Sequence, residues 1–386
     1  MKNSPSAGRA ETGIADLERQ RPKPVRNNSP ADTPDTAGNG PAGLLGAWVR
    51  FWFKPDAPIG LHWMRFLAGV LFLTWLLPLT GERFALFSLD GWFDAQAYRD
   101  ASRFDPDSIP VPLGWSVLFA GGAHSAAFEL IWWGSLAVLL LFTLGVATRV
   151  TAPLTWIVVV SFLASPAAHA DTDYLLGILA FCLMIAYLLL GLWSRPLSPL
   201  ERLFGPRGTS LIAVLRRKEV EAIPSYAAHF ALRLLQVQFA IVVVVSALHK
   251  LQIADWWAGV ALWYPLHPPL QMTAERLQAE RAAANTTLFF LSVLGYMILA
   301  WQLTFPLFAF SKRLRPVLLV GAAVGCLGSM FLYGEPTFGP FYALACLSYL
   351  TTAEWRWLTD LVAWPLDKKR ESGVRKQERI TPAAAP

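Results

Sequence analysis

The sequence predicts an all-α fold, a polytopic membrane bundle of about eight transmembrane helices with interfacial or re-entrant helices added. Three observations carry that expectation. Of the 386 residues 54% are hydrophobic and only 16% charged, whereas a soluble domain carries about a quarter charged residues. Apolar stretches of roughly 18 residues, enough to cross a hydrocarbon core, recur along the chain after the first fifty positions. Lysine and arginine are abundant and scarce in alternate intervals between those stretches, as they are in loops on opposite sides of a membrane.

Residues 1–41 are rich in Pro, Gly, Ala, Asn and charge, and no apolar run follows their positive charges. The sequence therefore predicts a disordered cytoplasmic tail and no signal peptide. A transmembrane domain is expected over 42–352, and a basic cytoplasmic tail over 353–386. The stretch "LLGAWVRFWFKP" reads as an amphipathic entry lying at headgroup level through Trp48, Phe51, Trp52 and Phe53. Spans are then expected at 59–79, 126–147, 150–163, 174–193, 229–250, 288–310, 316–333 and 338–352.

An even count puts both termini on one side, and the basic residues say which. One side collects eight lysines and arginines before Ile59, then Arg149, six from Arg195 to Lys218, three at Lys312, Arg313 and Arg315, and seven after Thr352, 25 in all. The other holds six: Arg83, Arg99, Arg103, Lys250, Arg276 and Arg281. That asymmetry predicts a multi-pass protein of the cell membrane with both termini cytoplasmic. The net charge of +6 is therefore assigned to cytoplasmic loops, and no nucleic-acid partner is expected. The exoplasmic segment 81–125, acidic and aromatic, reads as a partly helical cap, and the cytoplasmic stretch 195–226 as a basic interfacial anchor.

Ionisable groups inside a bilayer are costly and mark candidate sites. Arg65 lies in the first third of the first span, Arg233 one turn into the fifth, and Lys250 at the fifth's exoplasmic end. Arg65, Arg233, Gln236 and Gln238 read as structural polar groups that hold helices together by hydrogen bonds. For Lys250 two readings stand. A lysine at a helix end can snorkel to water. The segment "WWAGVALWYPL" that follows, broken by Gly259 and Pro265, can also fold back over it, and a covered lysine able to release its proton can act as a general base. His169, Asp171 and Asp173 have metal-like types but no recognisable ligand spacing, so a helix cap is expected there and no metal site. Glu275, Arg276, Glu280 and Arg281 are expected in a solvent-exposed helical loop piece before the sixth span. Cys182, Cys326 and Cys346 fall in apolar runs without paired spacing and read as small core residues. There is no Gly-rich phosphate loop, nucleophile elbow or haem-type histidine pair.

The stretch "RLLQVQFAIVVVVSALHKLQIADWWAGVAL" resembles a segment of the horizontally transferred transmembrane (HTTM) domain family, related to vitamin K-dependent gamma-glutamyl carboxylase. In that segment Arg-Leu and paired glutamines lead to a lysine, then tryptophan and glycine; here these fall on Lys250, Trp256 and Gly259. Arg65, "YLLGILAF" at Tyr174, Phe305-Pro306 and "GPFYALACLSY" are similar in their places, so the resemblance covers about 57–352. It implies Lys250 as the base that deprotonates a reduced quinone. It also implies a pocket for a quinone or other apolar ligand near the exoplasmic face, with Trp256, Trp257, Gly259, His249 and Tyr174 as lining candidates. Departures from the pattern are Ala247 for a glycine, Gln302 for a glutamate, and Thr172 and Ser329 for histidines that assist the lysine. With these, and with 34 residues after Thr352 where the carboxylase carries a large lumenal domain, glutamate carboxylation itself is not expected. Expected partners are the lipid bilayer and an apolar small molecule. The alternatives are a non-enzymatic partner of a secreted peptide and a small transporter.

Overall fold

The computed structural model describes residues 43–88, 90–92, 116–119, 125–165, 173–192, 198–206, 224–267, 273–333 and 338–363. The expectations for the tail 1–41, most of the exoplasmic cap, His169, Asp171 and Thr172, most of the stretch 195–226 and the tail after 363 lie outside these residues; so do those for the side chains of Arg276, Glu280, Arg281, Cys326 and Ser329. The chain divides into two units, Met1–Trp48 and Val49–Pro386. Within the first, the described residues 43–48 supply the opening turns of α1 (Leu44–Trp52). All other described elements belong to the second.

The described residues are helical, without a strand; Asp56 and Ser225 form an isolated backbone bridge. After α1 come α2 (Ile59–Leu76), α3 (Arg83–Phe87), α4 (Ser125–Leu144), α5 (Thr148–Leu163), α6 (Asp173–Leu189), α7 (Pro199–Phe204) and α8 (Tyr226–Leu251). Next are α9 (Ala254–Trp257), α10 (Trp263–Leu266), α11 (Ala274–Phe308), α12 (Arg315–Tyr333), α13 (Phe338–Leu347) and a helix over 352–363, called α14.

Among the described residues, four helical stretches are long and apolar enough to cross a membrane: Ile59–Thr80, Ala126–Leu144, Tyr226–Leu251 and Thr286–Phe308. Shorter apolar helices occupy Thr148–Leu163, Asp173–Leu189 and Arg315–Gly325. Two expectations are corrected. The piece expected to be helical around 275–281 is helical, but it belongs to no loop: residues 274–287 are the first turns of the 35-residue α11, because "AERLQAERAAAN" is rich in strong helix formers and contains neither Gly nor Pro. The expected span 338–352 is cut short at Leu347. A new helix starts after Thr351, whose hydroxyl accepts from the Glu354 N–H (3.4 Å) while the Glu354 carboxylate accepts from the Thr351 N–H (2.6 Å). This reciprocal cap fixes a helix start at the end of the expected span, in place of its last turn.

Consecutive helices pack as neighbours, α2 on α4, α4 on α5, α5 on α6, then α8 on α11, α11 on α12 and α12 on α13. The two series join where α8 meets α2 and α6 and where α13 meets α2. A main core results, with Trp132, Tyr187, Phe72, Phe142, Phe162 and Phe305 fully buried. The polarity is reversed relative to a water-soluble bundle. Outward positions carry Leu130, Trp133, Leu140, Phe289, Phe290, Met297 and Val320, whereas Arg65, His62, Gln236 and Gln302 are buried. So much contiguous exposed apolar surface is unusual on a soluble monomer and suits a lipid surround.

The helix pair α2 and α4 crosses at Gly69. A Cβ there would meet the Thr143 side chain and lie 2.9 Å from the Thr143 Cα, a backbone atom that cannot step aside. Gly69→Ala should therefore separate the two helices at about 1–3 kcal/mol. A thermal melt of the detergent-solubilised variant matching that of the parent would remove this reason for the glycine.

Candidate functional site

Lys250 occupies the last turn of α8, and its ammonium does not turn straight out to water. Nζ donates to the Gln302 side-chain oxygen on α11 at 3.0 Å and approaches the Ser246 hydroxyl, one turn back, at 3.4 Å. The Gln302 amide nitrogen reaches the same hydroxyl at 3.4 Å, closing a small polar triangle. The Trp256 ring covers the group, its centroid 5.0 Å from Nζ, a cation–π distance. Gln302 and Trp256 are both buried, and Lys250 itself is half-buried.

Local sequence explains the cover. Ile253 breaks α8 from the four-residue α9, and the chain turns at Gly259, whose φ of +73° belongs to the left-handed region. A Cβ on Gly259 would also lie 2.7 Å from the Ser292 hydroxyl oxygen. That hydroxyl donates to the Gly259 carbonyl at 2.7 Å, and Tyr296 donates to the Trp257 carbonyl at 2.7 Å. Trp256 packs with Leu262 and Leu299 in a separate small apolar cluster. The segment is thus clamped against α11, with Trp256 pointing inward over the lysine.

Of the expected pocket residues, Trp256 and Gly259 take part directly. Trp257 faces outward, 64% exposed, with its indole nitrogen donating to the Leu251 carbonyl at 2.6 Å. His249 is exposed beside Lys250. Tyr174 stands more than half exposed at the head of α6 and is not among the contacts of Lys250. Ser246 was not singled out from the sequence, although a residue four before a helical lysine lies on its face. All three partners of Lys250 are neutral, and an amide cannot take a proton from it. Any proton Lys250 exchanges must therefore pass to a ligand or to water.

The other buried polar residues divide into two groups. Arg65 is fully buried with its guanidinium 5.6 Å from the Tyr187 ring centre. Tyr187 donates to the Leu61 carbonyl at 3.4 Å and pairs with His62 Nδ1 at 2.8 Å. Neither His62 nor Tyr187 was picked out from the sequence; a histidine and a tyrosine amid apolar runs, on two different spans, were the available signal. The second group lies at the opposite end of α8 from Lys250. Arg233 donates to Gln236 at 2.9 Å, and Gln236 to the Ser348 carbonyl at 2.6 Å; Tyr349 donates to the Gln236 carbonyl at 2.6 Å. Phe51 and Phe310 flank the guanidinium, centroids at 4.7 and 5.4 Å. Phe51 therefore packs against Phe310 and Trp52 against Phe230, so these two aromatic side chains of the amphipathic entry join the bundle. Gln238 faces away from this chain into an apolar crevice between α2, α6, α8 and α13, beside Met64, Ile178 and Phe341.

Asp56 ties the start of the bundle to this second group. It accepts from the Thr352 hydroxyl at 2.6 Å and from the Ala57 N–H at 2.8 Å, with His229 Nδ1 3.9 Å away. Burial alone would raise its carboxyl, but His229, the Thr352 hydroxyl and the Ala57 N–H together hold it below its ordinary 3.8. Because the folded value is the lower one, this stabilisation is present above pH 3.8 and is lost as pH falls through the folded value. The parent should lose melting temperature across that acid window, whereas Asp56→Asn should start lower at neutral pH and lose less. Parallel pH curves for the two proteins would count against the assignment.

Comparison with models of known families, with curated proteins and with solved structures finds no match to this chain. Fold and site therefore define the class of protein by themselves: a helical bundle of membrane character, with polar groups turned inward and a covered lysine at one end of a long apolar helix.

Proposed function

We propose that the chain is an eight-span, multi-pass protein of the cell membrane, of the HTTM type, that binds a quinone or other apolar small molecule near its exoplasmic face with Lys250 as base. The observation that carries this reading is the placement of the Lys250 ammonium on Gln302 and beneath Trp256 instead of in open water. A purely snorkelling lysine needs no such cover. The neutral surroundings leave the ligand itself as proton donor. Gln302, in the place where the resemblance expects a glutamate, holds the lysine without neutralising it.

The distribution of basic residues, 25 against six, supports eight spans with both termini cytoplasmic. In this arrangement the shorter apolar helices α5, α6 and α12, and α13 with the turn after it, also cross. A reporter fused after Pro386 should be active only in the cytoplasm; activity only outside would overturn the topology.

Mass spectrometry of what stays bound after mild solubilisation tests the function. A lipid-soluble quinone or similar apolar molecule, retained by the parent, supports the proposal. A co-purified secreted peptide instead favours a non-enzymatic role in peptide maturation or export. Lys250→Arg keeps the charge but cannot release a proton near neutral pH. It should stay folded and fail to turn over the captured molecule, and full turnover would remove Lys250 as base.

A further inference from the structure

α7 is a six-residue helix built from "PLERLF", and its apolar residues face the wrong way for a protein surface in water. Leu200, Leu203 and Phe204 are 66%, 59% and 46% exposed, while Glu201 is buried. At 100° per residue the three apolar side chains fall within an arc of about 100°, with Arg202 on the far side.

The helix is held firmly. Ser198 and Glu201 form a reciprocal cap, the Ser198 hydroxyl accepting from the Glu201 N–H at 3.3 Å and the Glu201 carboxylate from the Ser198 N–H at 3.2 Å. Gly205 ends the helix at φ +101°, where a Cβ would lie 2.7 Å from the Thr148 hydroxyl oxygen. Arg149, at the start of α5, donates to the carbonyls of Glu201 (3.1 Å) and Arg202 (2.9 Å) and to that of Leu190, just past the end of α6 (2.7 Å). The apolar arc is therefore presented by a helix latched to the ends of two apolar helices. A helix latched this way cannot roll to bury its arc against the bundle.

We infer that the Leu200, Leu203 and Phe204 face of α7 is a membrane-contact surface that sits in the headgroup and upper acyl region of the leaflet at the α4–α5 turn end. Two observations commit it to lipid. The outward apolar surface of the adjoining elements continues to the same end through Val146, Val150, Leu188 and Leu192, all exposed. Arg202, opposite the arc, is exposed, and in the sequence Arg195 and Arg207 bracket the helix, a basic balance complementary to anionic headgroups.

This inference rests on the membrane reading, and one experiment separates the two. In a background with Cys182, Cys326 and Cys346 changed to alanine, a polarity-sensitive dye is attached at Leu203→Cys, at Arg202→Cys or, as reference, at Leu140→Cys on the outward face of α4. The proteins are placed in vesicles of phosphatidylcholine and phosphatidylglycerol. At 203 the dye should emit at shorter wavelength, lose most of its emission to nitroxide lipids labelled near the headgroup, and resist aqueous iodide; at 202 the response should reverse. A water-like, iodide-quenched dye at 203 together with a lipid-quenched dye at 140 would overturn the α7 surface alone. Water-like signals at both would overturn the membrane reading with it.

Discussion

Arg149→Ala is expected to lower the melting temperature and folded yield more than any other single change proposed. The guanidinium serves three backbone carbonyls from two chain segments, at Leu190, Glu201 and Arg202. Its positive charge also lies at the carboxyl ends of α6 and α7, where cations are favoured. Deleting it leaves those acceptors short of a donor, and hydrogen bonds to charged groups contribute about 1.5–3 kcal/mol each, so a total loss of roughly 3 kcal/mol or more follows. Arg149→Lys can reach at most part of the set and should fall between the two. Equal melts of Arg149→Ala and parent in detergent would show that solvent replaces the guanidinium at no cost.

Arg233→Ala is expected to have the second largest effect, about 2–3 kcal/mol from the lost charged hydrogen bond and the contact with two aromatic rings. The change reaches further than one side chain, because Gln236 holds the Ser348 carbonyl and receives the Tyr349 hydroxyl. Arg233→Lys should recover only part of the loss, since an ammonium cannot cover both Phe51 and Phe310 as a planar guanidinium does. Folded yield measured by size-exclusion chromatography decides it. Yields of Arg233→Ala equal to the parent would reject the structural reading.

The helices were largely legible in the sequence because their signal is length and apolarity, both local. α2, α4, α5, α6, α8 and α12 fall within a few residues of their expected bounds. Where the reading failed, competing local signals were at work: the helix-forming start of α11 and the Thr351–Glu354 cap that begins α14. Part of the candidate site was legible as well. The break after Lys250, the tryptophan pair and Gly259 already announced a fold-back, but not which tryptophan would face inward. Contacts that join distant segments left no local trace. Nothing near Arg149 in the chain announces carbonyls 41 to 53 residues away, and nothing near Asp56 announces Thr352. Tyr174 was included through resemblance to a motif, and the structure gives it no part in holding Lys250.

The cover over Lys250 is tested most directly by the rate at which a water-soluble amine-reactive ester modifies that lysine, read by peptide mass spectrometry against the exposed Lys54 as internal reference. Slow modification of Lys250 is expected in the parent and a marked acceleration in Trp256→Ala, with Lys54 unchanged. Modification of Lys250 as fast as Lys54 in the parent, unaffected by Trp256→Ala, would contradict it and leave a lysine that simply reaches water.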